Sequence, residues 1–326
     1  MKNLKHILGT IVLSAVLFTS CDENNDNDYN VDRATAAEFS NIKDAALEGI
    51  TQNFQFNAED GWTSLTSENG VTIGLNGNSL TLNGNPVTGP VDLEFVEIFD
   101  KGTMLVTNKP TMGIMSNGDK ALLLSGGEFF INATQNGANL DLGSNIELII
   151  PAKLTGEIDT EMILWEGNID DNGDLAWDEI DREEQANADA GLFVEEETYY
   201  AYFGSFGWTN VDRFYNDPRE KTTILVAVPE GYDNTNSAVY LSYDGEGNSL
   251  AKLDTYDAGT KLFSEHYGQI PIGLECHVIF TTEESGNWKY AIQAATIVEN
   301  GVITISESET SVVTEAQLIT AMQALP

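Results

Sequence analysis

The chain has 326 residues, long enough for two domains or one large β domain, with 15 basic against 52 acidic side chains and a net charge of −37. That balance excludes nucleic acid as a partner, because phosphate binding needs clustered lysines and arginines and the sequence has no such cluster. Two cysteines, Cys21 and Cys276, allow no disulfide framework once Cys21 is accounted for below.

Residues 1–20 open with Lys2 and Lys5, continue in an apolar run over 7–18 and end in small polar residues, the order of a secretory signal peptide. The run is shorter than the roughly 20 apolar residues of a membrane helix. Leu17-Phe18-Thr19-Ser20-Cys21 resembles a bacterial lipobox, in which the cysteine becomes the lipidated first residue of the mature protein. The resemblance implies acyl chains (diacylglycerol and a further palmitate-like chain) on Cys21, and several chains hold a protein to a membrane far more firmly than one. Loss of Lys2 and Lys5 with the signal would take the net charge to −39.

Segment 21–30 is polar and acidic, with nothing apolar to pack at its start, and reads as a disordered tether. Asp22-Glu23-Asn24-Asn25-Asp26-Asn27-Asp28 also resembles the acidic export signal of surface-exposed lipoproteins of the Bacteroidota. It implies an outer-membrane protein displayed on the cell surface; a periplasmic facing is the other reading. The negative charge repels an anionic cell surface, which favours a module held by its lipid over one lying on the membrane, and makes divalent cations natural counter-ions.

Within 31–53, Thr35 and Glu38 form a capping box and Phe39, Ile42, Ala46 and Ile50 recur at helical spacing, so a short helix is predicted. From 54 to 181 the texture is short β runs punctuated by Asn-Gly and Gly-Gly, clearest at 71–75, 91–98, 129–133 and 146–150. Gly70-Val71-Thr72-Ile73-Gly74-Leu75-Asn76-Gly77-Asn78-Ser79-Leu80, the 91–98 strand and Ser125-Gly126-Gly127-Glu128-Phe129 are together similar to β-sandwich modules of the ZU5 type. That similarity implies a sandwich and a role in protein interactions. The charged, Ala/Asn-rich stretch 182–190 is the expected linker between this first β domain and a second over 191–326. Strands are predicted there at 198–203, 222–228, 238–243, 277–281, 290–297 and 302–305, followed by a C-terminal helix capped by Thr314 and Gln317. The fold class is therefore mainly β: two β-sandwich-like regions with a short N-terminal helix and a C-terminal helix.

Chemistry is sparse. Cys276 and His277 are neighbours on a predicted strand, so they face opposite ways; Cys276 shares its face with Leu274, Val278 and Phe280 and reads as a buried hydrophobe. Trp208, Asn210 and Asp212 share one face if 206–215 is extended, the inventory of a glycan or peptide contact surface, against the plainer reading of a core tryptophan beside a polar loop. Residues 168–179 place Asn168, Asp170, Asn172, Asp174 and Glu179 in the ligand order of a Ca2+ loop. The stronger reading of that stretch is a hairpin turning at Asn172-Gly173, with Ile163 and Trp165 pairing near Leu175 and Trp177. The expected function is binding or assembly, with a glycan or protein ligand; the alternative is a carbohydrate-active or other hydrolytic enzyme using carboxylates.

Overall fold

The computed structural model describes residues 33–170, 173–180 and 191–326. The signal segment, Cys21, the acidic tether, Asn172 and the expected linker lie outside the described residues. Residues 33–326 form one compact unit, and the architecture is mainly β.

Helix α1 (Ala36–Ile50) starts where its capping box predicts: Thr35 Oγ1 accepts from the Glu38 amide at 3.2 Å, and Glu38 Oε2 accepts from the Thr35 amide at 2.8 Å. Its buried stripe is Phe39 and Ala46. The strands at 71–75, 91–98, 146–150 and 198–203 form as Thr72–Asn76, Pro90–Ile98, Ile146–Pro151 and Thr198–Phe203. The run at 129–133 is the middle of a much longer strand, Lys120–Gln135.

In the first sheet, Gln52–Asn57, Pro90–Ile98, Lys120–Gln135, Gly207–Phe214, Ile163–Ile169, Leu175–Glu179 and Met112–Ile114 pair in that order. Met112–Ile114 also pairs back onto Lys120–Gln135, so part of the sheet closes into a ring. A second sheet, ordered Gly191–Glu195, Thr198–Phe203, Ile146–Pro151, Thr72–Asn76, Trp62–Thr66, covers one face of the first. Val71, Ile73, Ile146, Leu148, Ile150 and Phe203 meet Leu93, Phe95, Phe129 and Val211 in the shared core.

A second sandwich follows in sequence. Its outer sheet runs Thr255–Asp257, Leu262–Pro271, Lys221–Ala227, Gly301–Thr304; its inner sheet runs Ala251–Lys252, Ser237–Tyr243, Glu275–Glu284, Asn287–Thr296, Ser311–Val313. Ser237–Tyr243 is buried throughout, because Val239, Leu241 and Tyr243 face the outer sheet while Ala238 and Tyr240 face helices. Those helices are α1, α2 (Lys101–Thr107) and α3 (Glu315–Gln323). They form a middle layer: Phe39, Met104, Leu105, Leu318 and Met322 pack with Val96, Ile98 and Trp208 of one sandwich and Tyr240, Ile279 and Trp288 of the other.

The expected domain boundary needs correction. Strands Gly191–Glu195 and Thr198–Phe203 lie in the second sheet and Gly207–Phe214 in the first, so the sheets do not divide at 182–190. They divide between Phe214 and Lys221. The described strands on either side, Leu175–Glu179 and Gly191–Glu195, belong to the same sandwich, because strand pairing is non-local and leaves no compositional trace.

Candidate functional site

Strand Gly207–Phe214 carries Trp208, Asn210 and Asp212, and they do share a face. That face is covered, with Trp208 8 % exposed and Asn210 and Asp212 fully buried. The contact-surface reading is corrected accordingly: the ring packs 5.3 Å from Phe130 and 6.4 Å from Trp177 between centroids, under the helical layer.

Opposite them, Ser125-Gly126-Gly127-Glu128 breaks the register of the long strand. Asn210 pairs with Glu128 but Asp212 with Ser125, a bulge in which Gly127 takes φ +131°. A Cβ on Gly127 would meet the Phe129 and Phe99 rings at 2.7 and 2.8 Å. The bulge gathers a polar cluster inside the protein. Ser125 Oγ donates to Asn210 Oδ1 at 3.2 Å, and Asn210 Nδ2 donates to Asp212 Oδ2 at 2.5 Å. Both carboxylate oxygens of Glu128 and Oδ1 of Asp212 have no hydrogen-bond partner among the described residues.

Burial pushes Glu128 well above the ordinary carboxylate range; Asp212 adds to the shift and Lys109 opposes it. Burial likewise raises Asp212, against the hydrogen bond from the Asn210 amide. Lys109 sits 5.3 Å from the Trp208 ring centroid, donates to the Thr107 carbonyl at 3.3 Å, and is lowered by its own burial. Glycoside hydrolysis uses two carboxyls with separate roles, one raised to act as acid and one kept ionised, with a sugar between them, whereas here burial raises both. Here the carboxyls are sealed at 0 % exposure, so the geometry builds an internal polar core and no reaction centre.

The outer edge of the same layer is open. A groove of about 470 Å3 runs between α1 and the first sheet, floored by Phe130, Val96 and Trp208. Its walls carry Asp44 and Glu48 from α1 and the cross-strand pair Asn53 and Glu94, all four exposed. Apolar floor and convergent polar walls are the make-up of a ligand pocket. Of the groove residues, only Trp208 was legible as a site candidate in the sequence; the rest come together through strand pairing and the packing of α1.

Residues 163–179 form the hairpin. Its partners are Trp165 with Glu179, Gly167 with Trp177 and Ile169 with Leu175, which corrects the expected pairing: Leu175 and Trp177 stand opposite Ile169 and Gly167, and Ile163 pairs with Asp212 instead. Asn168 Nδ2 donates to Asp178 at 2.7 Å, Asp170 Oδ1 accepts from the Asp174 amide at 3.0 Å, and Asp174 is ion-paired with Lys252 of the second sandwich. Glu179 lies on the strand, opposite Trp165. Among the described residues no three acidic, histidine or cysteine side chains converge to hold a metal ion.

Cys276 is 1 % exposed beside Leu274, Val278 and Phe280, and burial pushes its thiol up to about 12. His277 points the other way, its Nδ1 2.8 Å from Asp244 Oδ1. No helix among the described residues is long and apolar enough to cross a membrane. No family model and no curated protein matches the chain.

Proposed function

We propose that this chain is a lipid-anchored outer-membrane protein, displayed on the cell surface, that binds a glycan or protein ligand. The observation that carries the reading is the groove between α1 and the first sheet, an aromatic floor with two carboxylates from the helix and an amide-carboxylate pair from the strands. The lipobox-like Leu17-Phe18-Thr19-Ser20-Cys21 and the acidic residues after it support the address. The ZU5-like resemblance of the first sandwich supports an interaction role.

A hydrolytic reading finds less support, since the acids with the most strongly raised pKa values are buried away from any substrate. The groove is tested by titrating the purified chain with soluble glycans and with outer-membrane protein extracts while following tryptophan fluorescence, because Trp208 lines the floor. A ligand that shifts the emission should bind roughly tenfold more weakly to Asn53→Ala and Glu94→Ala. If every ligand found binds both variants as well as wild type, the groove is not the site. Turnover of a polysaccharide, lost on substitution of one carboxylate, would replace binding by hydrolysis.

A further inference from the structure

The second sheet of the first sandwich has one buried face and one open face. Along each strand alternate residues turn inward to the core, and the others make the open face: Trp62, Ser64 and Thr66; Thr72, Gly74 and Asn76; Glu147 and Ile149; Thr198, Tyr200 and Tyr202; Phe193 and Glu195. Trp62 is 57 % exposed and Phe193 58 %, two of the largest apolar side chains the protein leaves in solvent. They stand on the two edge strands of this one sheet, four strand spacings or about 19 Å apart across it, and Trp62 is offset along its strand from Thr66, the residue in the row of Phe193.

The indole of Trp62 lies diagonally across its neighbour strand. A Cβ on Gly74 would sit 2.6 Å from Trp62 Cζ2 and 3.1 Å from Glu147 Oε2, so the ring rests on the bare backbone of Gly74 with the carboxylate at its side. Glu147 is held in turn: Tyr202 donates its hydroxyl to Glu147 Oε1 at 2.5 Å, and the Tyr202 ring meets Phe193 edge-on, 5.9 Å between centroids. Across the five strands the face reads as ring, carboxylate, phenol, ring, with serine, threonine, Asn76, Ile149 and Tyr200 between them.

We infer that this open face is a binding platform for an uncharged polysaccharide chain, lying across the strands from Trp62 to Phe193. A sugar ring presents C–H groups on its flat faces and hydroxyls around its rim, so it needs flat aromatic surface beside hydrogen-bonding groups in the same plane. Trp62 over Gly74 supplies the first, and Glu147 and Tyr202 the second. Charge selects among ligands of that shape. The described positions of the face carry Glu147 and Glu195 and no lysine or arginine, which disfavours anionic polysaccharides, nucleic acid and anionic lipid surfaces. A protein partner of the usual kind would be met by a more apolar centre than one holding a carboxylate. Rigid aromatic side chains lose little entropy on binding, and a tryptophan at the contact is the residue type whose truncation costs most.

The inference extends the binding reading to a second surface and does not depend on the groove. The test uses the full-length chain in detergent, run in native gels containing neutral polysaccharides of different linkage (β-glucan, xylan, mannan and starch), with calorimetry on soluble oligosaccharides of any that retards it. At least one should retard wild type, and its affinity should fall roughly tenfold in Trp62→Ala and in Phe193→Ala and be unchanged in Val302→Ala, an exposed side chain on the outer sheet of the second sandwich. Both rings are solvent-exposed, so unchanged melting temperatures in the two variants show that the fold is intact. The proposal is overturned if no neutral polysaccharide binds, or if binding survives in both ring variants. Loss in Asn53→Ala alone overturns it too, and places the sugar in the groove; capture of a protein that depends on Trp62 makes the face a protein interface instead.

Discussion

The amide of Asn210 donates to the carboxylate of Asp212, two residues along the same strand, at 2.5 Å inside the protein. The pair is fully buried beside Glu128, whose two oxygens have no partner among the described residues. Removing Asp212 by alanine would orphan the Asn210 amide and should cost about 1–3 kcal/mol of stability. Glu128→Gln removes the acid's burial penalty instead. Because Glu128 titrates above its ordinary value in the folded state, the native protein holds a proton that the unfolded chain releases. Wild-type stability from this group falls as pH rises above about 4.5, so the gain from Glu128→Gln should grow with pH. Denaturant titrations at pH 4 and pH 8 measure it, and a difference independent of pH counts against the assignment.

Glu265 offers the same linkage with a defined window. Burial raises it to about 7, only partly offset by amide hydrogen bonds from Tyr267 at 3.0 Å and Gly268 at 3.3 Å. The folded value lies above the ordinary 4.5, so its stabilising effect is full below that and is lost as pH climbs through about 7. Wild type should lose about 2–3 kcal/mol across the window relative to Glu265→Gln. Parallel curves for the two proteins would refute this.

Lys43 Nζ sits 4.3 Å from the centroid of the Phe39 ring, and burial, helped by Lys252, pushes the amine down to about 8. Here the sign reverses. The unfolded chain keeps the proton up to about 10.5, so the contribution of Lys43 is present above that value and lost as pH falls through about 8. At pH 7 Lys43→Met should therefore be more stable than wild type by about 2 kcal/mol. Carbon NMR of the lysine side chains should find one titrating near 8; every midpoint above 10 would be incompatible with it.

With Asp174 tied to Lys252 and Glu179 on the strand opposite Trp165, millimolar calcium should leave the melting temperature unchanged. Glu179→Gln should shift stability by less than about 0.5 kcal/mol. A calcium-dependent rise that Glu179→Gln abolishes would instead establish 168–179 as a metal loop.

Cys21→Ala should abolish incorporation of a fatty-acid probe and release the protein from the membrane, because the thiol is the expected lipid attachment point. Protease added to intact cells should remove the folded region, and replacing Asp22, Glu23, Asp26 and Asp28 by alanine should protect it. Survival of wild type on intact cells, with cleavage after lysis, would mean a periplasmic facing.

Period-two alternation in the sequence by itself determined which residues share a strand face, as at 91–98 and for Cys276 against His277, because neighbouring side chains on a strand must oppose. The capping boxes Thr35/Glu38 and Thr314/Gln317 did the same for two helix starts, since each is a local hydrogen-bond pattern. Helix α2 leaves no such signal. Its seven residues, capped by Asp100 and ended by Asn108 at φ 53°, are too few for a periodic signal. Only the tertiary structure decided what lies over each face. Trp208 is covered by helices drawn from 36–50, 101–107 and 315–323, and Asn210 and Asp212 are buried with Ser125 and Glu128, while the similarly alternating Trp62 strand is left open. The membership of 191–214 in the first sandwich and the seat of Trp62 on Gly74 likewise depend on pairing between residues far apart in the chain, and such contacts leave no mark on the local pattern of either partner.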